Sequence, residues 1–384
     1  MSLSAPGPSP SRPRIHVLDF IRLVAMLLMI QGHTLDAFAD PAAMDLDSFH
    51  WQAWVHLRGL TAPLFLMVSG AASVLGIRHE ADGRVARTLL RHRVTMAFTV
   101  IGIGYLMVFP ANRLVDLRWV SADVWQGFLR VNILQLNGAT LLLLTGLLAL
   151  TRSIRRYAAW SLGLGVLILA LAPFVYAVDW FRWLPEGLAA YLSFSHGSLF
   201  PLFPASAYMF LGVGLGALLL ETPEEKRART FRLACLTASA ALMLLGLALG
   251  HLPADLLPAH DAYKAGYAYL SLRLGFAFLV FGLLAWVAEF LPRLAAACAP
   301  MGRKSLYVYV GHLVLIYGTP WTQGLVDGQV HALGLPDAAA FIPVIGGLTF
   351  GAILVWDWLR TRSEAMGTFV HASAVCALAY ALVF

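Results

Sequence analysis

Long apolar runs broken by short polar connections dominate the chain. Windows near twenty residues, rich in Leu, Ala and Gly, recur from residue 18 onward. A helix rising ~1.5 Å per residue needs about twenty apolar residues to cross a hydrocarbon core of roughly 30 Å. A β-barrel would instead alternate over segments of about ten. The pattern predicts an all-α, polytopic transmembrane helical bundle with spans near 18–38, 53–76, 93–110, 127–150, 157–178, 201–220, 232–250, 267–289, 304–320, 339–358 and 366–384. The third and the last are short, so the expected count is ten or eleven.

Composition agrees: 59% of the 384 residues are hydrophobic and 12% are charged, far from the balance of a water-soluble domain. Residues 1–13, rich in Ser and Pro, are expected to form a disordered tail, and 14–384 a single transmembrane domain. No small-residue cleavage signal follows the first run, which is therefore read as a retained anchor. Cys235, Cys298 and Cys376 are odd in number and scattered, which argues against a disulfide framework or a metal site.

The net charge of +6 changes the picture only through its distribution. Of 27 Lys and Arg, nineteen lie in the N-terminal tail and in segments 77–93, 151–157, 221–232, 290–304 and 359–364, whereas the alternate loops hold four, Arg113, Arg118, Arg182 and Lys264. The positive-inside rule makes the first set cytoplasmic, together with the N-terminus. The basic balance is thus explained by topology, and nucleic acid is not expected as a partner.

Four arginines, Arg22, Arg58, Arg130 and Arg273, fall inside predicted spans. A charge at the bilayer centre costs at least ~2.5 kcal/mol, so each needs a partner, an interface or a polar cavity. In the first span Asp19 and Arg22 stand three apart and can pair. His33 follows about 16 Å further along the helix. Arg58, Arg130 and Arg273 come one or two turns from the outer ends of their spans and, with Asp36, either enclose an outward-facing acceptor chamber or snorkel separately to the interface. The outer segment 39–51 carries Asp40, Asp45, Asp47 and His50, and the loop from Asp179 to Pro201 carries Trp180, Trp183, Glu186, Tyr191 and His196. Gly212 and Gly216 form a small-xxx-small face suited to close helix packing.

Several segments in order carry a resemblance. Arg14, Leu18, Asp19, Arg22, Met29 and His33, with Leu23 where Gly is usual; LTAPLFLMVSG; NILQLNGATLLLL; FPLFPASAYMFLGVGLG; and SLRLGFAF followed by GRKSLYVYVGH together make the chain resemble the bacterial relatives of heparan-alpha-glucosaminide N-acetyltransferase, among multi-pass membrane acyltransferases. The resemblance implies transfer of an acetyl or other acyl group from cytoplasmic acyl-CoA, acetyl-CoA in the first instance, to an amino sugar or related glycan acceptor at the outer face of a bacterial plasma membrane. Acyl-CoA, the acceptor and membrane lipids are the implied partners, and a homodimer stays open.

Imidazole suits a base or a nucleophile near neutral pH. His33 and His50 are the candidates for catalysis. In eukaryotic relatives the catalytic His precedes the Pro-containing helix, where His50 is the nearest match and His56 a rival; at the place of His33 those relatives carry Asn, and related sugar O-acyltransferases carry His. Asp19, Arg22 and His312 are expected in supporting roles. Arg303, Lys304 and Ser305, after Gly302, place cations and free N–H groups at a helix start that suits coenzyme phosphates, although the same cations also satisfy the topology alone. An O-acyltransferase of surface polysaccharide or lipid-linked sugar is the nearest alternative; a transporter is disfavoured because no inverted repeat is visible.

Overall fold

The computed structural model describes residues 15–45, 47–80, 82–253 and 256–383, so Arg14 and the N-terminal tail lie outside the described residues. It contains sixteen α-helices and, among the described residues, no strand. In chain order they are α1 (His16–Phe38), α2 (Phe49–Gly59), α3 (Thr61–Leu75), α4 (Arg87–Met107), α5 (Ala122–Leu129), α6 (Ile133–Leu150), α7 (Ile154–Tyr176), α8 (Glu186–Ala189), α9 (Leu202–Glu221), α10 (Glu224–Leu249), α11 (Ala262–Ala265), α12 (Tyr267–Phe290), α13 (Pro292–Gly302), α14 (Ser305–Tyr317), α15 (Leu335–Arg362) and α16 (Glu364–Val383).

Among the described residues, nine helical segments are long and apolar enough to cross a membrane. The protein is a multi-pass integral membrane protein. The two remaining predicted spans correspond to α4 and α14. The first turns of α4 carry Arg87, Arg91, His92 and Arg93, which lower its hydropathy, and α14 has 13 residues. At ~1.5 Å per residue that is about 20 Å, short of a full crossing.

Helix α1 is the hub. It touches α2, α3, α12, α13, α14 and α15, and its buried residues, from Leu18 through Phe38, are spread around its circumference rather than along one stripe, as a helix surrounded by others requires. Small residues set the closest approaches. Gly70 of α3 lies on the Met209 carbonyl of α9, and Gly212 and Gly216 of α9 lie on the Met67 and Ala71 carbonyls of α3. The small-xxx-small face read from the sequence is therefore the seam between α3 and α9, where a side chain would force the backbones apart. Large apolar side chains such as Trp160, Leu244, Leu247, Trp286, Phe290 and Phe369 are exposed on the outer helices, the arrangement a lipid solvent calls for.

Two predicted spans are divided. The span 53–76 is α2 followed, after Leu60, by α3. No residue of α2 is buried, because His50, Gln52, His56 and Arg58 leave it no apolar stripe. The span 127–150 is broken at Arg130–Asn132, where Arg130 and Asn132 are extended between α5 and α6. There Leu199 and Phe200 donate their backbone N–H groups to the Val131 carbonyl at 3.0 Å, and Val131 N–H donates to Ser198 Oγ at 3.0 Å. This interruption seats the loop before α9 against the start of α6, and it gives the site below one of its walls.

Candidate active site

A cavity of about 590 Å³ opens where the second half of α1 meets α2, α3, α4, α6, α12 and α14. Its size falls within the roughly 300–1,000 Å³ typical of small-molecule sites. His33, Asp36, Arg58 and Arg273 line it together with Asn132, Gln135 and Tyr309, and Leu199 and Phe200 contribute from the loop before α9. Four of the residues singled out in the sequence thus share one void.

His33 and Asp36 stand three apart on α1 and present to the same side. Gly32 clears the space for Arg58 to lie across them: a Cβ at Gly32 would come 3.2 Å from Arg58 Cγ. Arg58 pairs with the Asp36 carboxylate and stands 5.2 Å over the Trp54 ring. His331 Nε2 donates to the Asp36 carbonyl at 2.8 Å, and the Tyr317 hydroxyl donates to the His33 carbonyl at 3.3 Å. The C-terminal turn of α1, which lacks a basic residue of its own, is therefore held by groups from α2, α14 and the segment before α15.

The His33 ring is flanked by two others. His312 lies 5.5 Å away between ring centroids, and Tyr317 meets His33 edge-on at 6.2 Å. His312 is buried, and its Nδ1 is 2.7 Å from the Val308 carbonyl. A carbonyl only accepts, so Nδ1 carries the proton of that bond and, in the neutral ring, Nε2 keeps its lone pair. That Nε2 is buried without a hydrogen-bond partner. An imidazole at a cavity wall, backed by a second imidazole and with its carbonyl tied by a phenol, can accept a proton from a bound nucleophile.

Other predicted site residues are placed elsewhere. His50 and His56 are exposed on α2 and outside the cavity lining; His56 Nδ1 donates to the Gln52 carbonyl at 2.7 Å, and His50 Nε2 is 3.3 Å from Ser48 Oγ. Arg130 does not sit inside a span, because the helix breaks there. Its Nε donates to the His196 carbonyl at 3.0 Å, so it braces the loop that walls the cavity and does not line it. Asp19 and Arg22 pair at 3.5 Å at the opposite end of α1, where Arg22 also reaches the Gly302 carbonyl at 3.5 Å. They lie outside this cavity, as does His312. At that same end Lys304 pairs with Asp357 of α15, Arg303 is exposed, and Ser305 opens α14 without capping it through its side chain.

Sequence reasoning did not single out Gln135, Tyr317, His331 or Asp357. Of these, Gln135 has a sequence signal, as a carboxamide within the NILQLNGATLLLL segment that carries the family resemblance.

The comparison with protein families bears on these residues directly. The model described as heparan-alpha-glucosaminide N-acetyltransferase, catalytic, matches residues 14–252, more than half the chain. The chain belongs to that family. The matched stretch supplies His33, Asp36, Arg58 and Gln135; Arg273, Tyr309 and His312 come from helices beyond it, packed onto the same cavity or directly behind it. No curated protein gives a significant match. Membership of a heparan-alpha-glucosaminide N-acetyltransferase-like family, together with the apolar spans, points to a multi-pass membrane acyltransferase, and acetyl-CoA is the donor used by the family in general.

Proposed function

We propose that the protein transfers an acetyl group from cytoplasmic acetyl-CoA to an amino sugar at the outer face of a bacterial plasma membrane, with the N-terminus in the cytoplasm and His33 as the general base. The observation that carries this reading is the place of His33: an imidazole on the wall of a mainly apolar cavity that also holds Asp36, Arg58 and Arg273, at the end of α1 farthest from the basic N-terminal side. His33 takes a proton from the acceptor amine as its nitrogen attacks the thioester carbonyl. The new C–N bond forms, the C–S bond breaks, and the proton passes from the imidazolium to the departing thiolate. Positioned proton transfer of this kind contributes roughly 10²–10⁴-fold.

At the cytoplasmic end Arg303 and Ser305, with Lys304 shared between Asp357 and the ligand, are the groups proposed for the coenzyme phosphates. The junction of Gly302 with Asp19 puts these residues at the foot of α1. His312 is proposed to support the His33 ring from behind.

A second reading has its own observation. His33 stands where the sugar O-acyltransferases described above carry His, so a hydroxyl acceptor uses the same base. Labelled acetyl-CoA with purified protein, tested against glucosamine and N-acetylglucosamine, separates the two: the first offers an amine, the second only hydroxyls. His33→Ala should lower transfer about 100-fold or more at an unchanged unfolding temperature. His50→Ala and His56→Ala, exposed on α2, should stay near wild type. An active His33→Ala enzyme would remove His33 from the chemistry.

A further inference from the structure

Two groups on the cavity wall are unaccounted for by acyl transfer itself. Gln135, at the start of α6, is fully buried, and both its Oε1 and its Nε2 lack a hydrogen-bond partner although the side chain lines the cavity. Buried carboxamides are rarely left so. Gly104 of α4 makes room for it: a Cβ there would come 2.9 Å from both the Gln135 amide carbon and Oε1.

The second group is Arg273, seven residues into α12. The cavity's charged side chains, among the described residues, are Asp36, Arg58 and Arg273, and Asp36 is held by Arg58. Arg273 has no acidic partner. Its guanidinium lies 4.5 Å from the Tyr269 ring centre and 5.1 Å from that of Tyr263, and Nη2 donates to the Tyr269 hydroxyl at 3.0 Å. The rings orient the fork and leave its charge in place. A guanidinium held this way matches a carboxylate or phosphate with two parallel bonds.

We infer that Gln135 and Arg273 form a recognition subsite for an acceptor that carries a carboxylate or phosphate beside a hydroxyl or amide. This rests on the proposed acyl transfer only in naming the occupant as the acceptor. Arg273 lies near the start of α12, on the side of the sparsely charged loops, whereas the residues proposed for coenzyme phosphates stand at the other end of α1.

The test uses the full chain in detergent, with glucosamine, glucosamine 6-phosphate and a glucuronic acid–glucosamine disaccharide as probes, coenzyme A as the donor control, and two readouts, thermal stabilisation and acetyl transfer. Both anionic sugars, or one of them, should bind about tenfold or more tightly than glucosamine, the size expected of one bidentate charge-assisted contact; which one binds distinguishes carboxylate from phosphate. Arg273→Gln should bind the charged and uncharged sugars alike. Gln135→Glu, which places a carboxylate on the same wall, should also abolish the preference, so one folded variant suffices. Gln135→Leu should weaken all three sugars by a common factor. Equal binding by wild type, a preference that survives Arg273→Gln, or an effect of Arg273→Gln confined to coenzyme A would overturn the subsite. Anion-selective binding without any acetyl transfer would instead overturn the acyl-transfer reading and leave the subsite standing.

Discussion

The two ends of α1 carry similar residues in opposite circumstances. At its N-terminal end Asp19 and Arg22 pair, Arg22 reaches the Gly302 carbonyl, and Gly302 sits directly on the Asp19 backbone. Charge there meets a charged partner and a carbonyl on a seam closed by backbone contact, although Arg22 Nε is buried without a hydrogen-bond partner. At the other end Asp36 and Arg58 also pair, but around a void that holds His33, an unpartnered carboxamide and a further cation. Ionisable groups inside a membrane protein are costly whether they serve packing or chemistry. What separates the two ends is whether the polar groups face a packed seam or a cavity: Asp19 and Arg22 lie outside it, whereas His33, Asp36, Arg58, Gln135 and Arg273 line it.

The glycines test this contrast most severely. Gly302→Leu would drive a side chain into the Asp19 backbone carbonyl, whereas Gly32→Ala meets only the movable Arg58 Cγ and Cδ at 3.2 and 3.3 Å. The first should cost about 3 kcal/mol or more, as overpacking against a backbone does, and the second under about 1 kcal/mol. Unfolding temperatures in one detergent decide it; equal losses would mean that the C-terminal end of α1 is packed as tightly as its N-terminal end.

Removing one partner of the Asp36–Arg58 pair is expected to have a smaller effect. The Arg58 and Asp36 side chains are 40% and 34% exposed, so Arg58→Ala should lower stability by only about 1 kcal/mol after solvent screening. Adding Asp36→Asn should restore part of that loss, since the carboxylate left without its cation is what costs. A double mutant less stable than the sum of its parts would show that Asp36 is held by something other than Arg58.

The smallest effect belongs to the cations at the start of α14. Lys304 already has Asp357, so Arg303→Ala with Lys304→Ala should raise the KM for acetyl-CoA a few-fold, roughly 1 kcal/mol of uniform binding, and leave kcat alone. An unchanged KM would assign both residues to topology.

Much of this was legible in the sequence. Hydropathy windows located the helices, and the spacing of Gly212 and Gly216 identified a close seam, because both depend on local composition that folding does not alter. The cost of charge in lipid grouped Asp36 with Arg58, Arg130 and Arg273, as one chamber or as separate snorkelling side chains, and all of these but Arg130 line the cavity beside His33. The limits are equally specific. The break at Arg130–Asn132 is stabilised by Ser198, Leu199 and Phe200, more than sixty residues away, and no Gly or Pro marks it, so Arg130 was placed within a helix. His50 and His56 match the family by order along the chain, and their exposure on α2, outside the cavity lining, is set by tertiary packing that order along the chain does not carry. Gln135 matters through the absence of a partner, and Lys304 through the presence of Asp357, facts that belong to tertiary contact alone.

The central claim is that acyl transfer takes place in the cavity around His33, and a plug placed there tests it most directly. Ala62 lines the cavity and has no proposed part in the chemistry, so Ala62→Cys, in a chain whose Cys298 and Cys376 are replaced by Ser, can be labelled with a bulky maleimide. Glucosamine should slow the labelling, and the labelled protein should lose acetyl transfer while the unlabelled variant retains it. Full transfer by completely labelled protein would place the reaction elsewhere in the molecule.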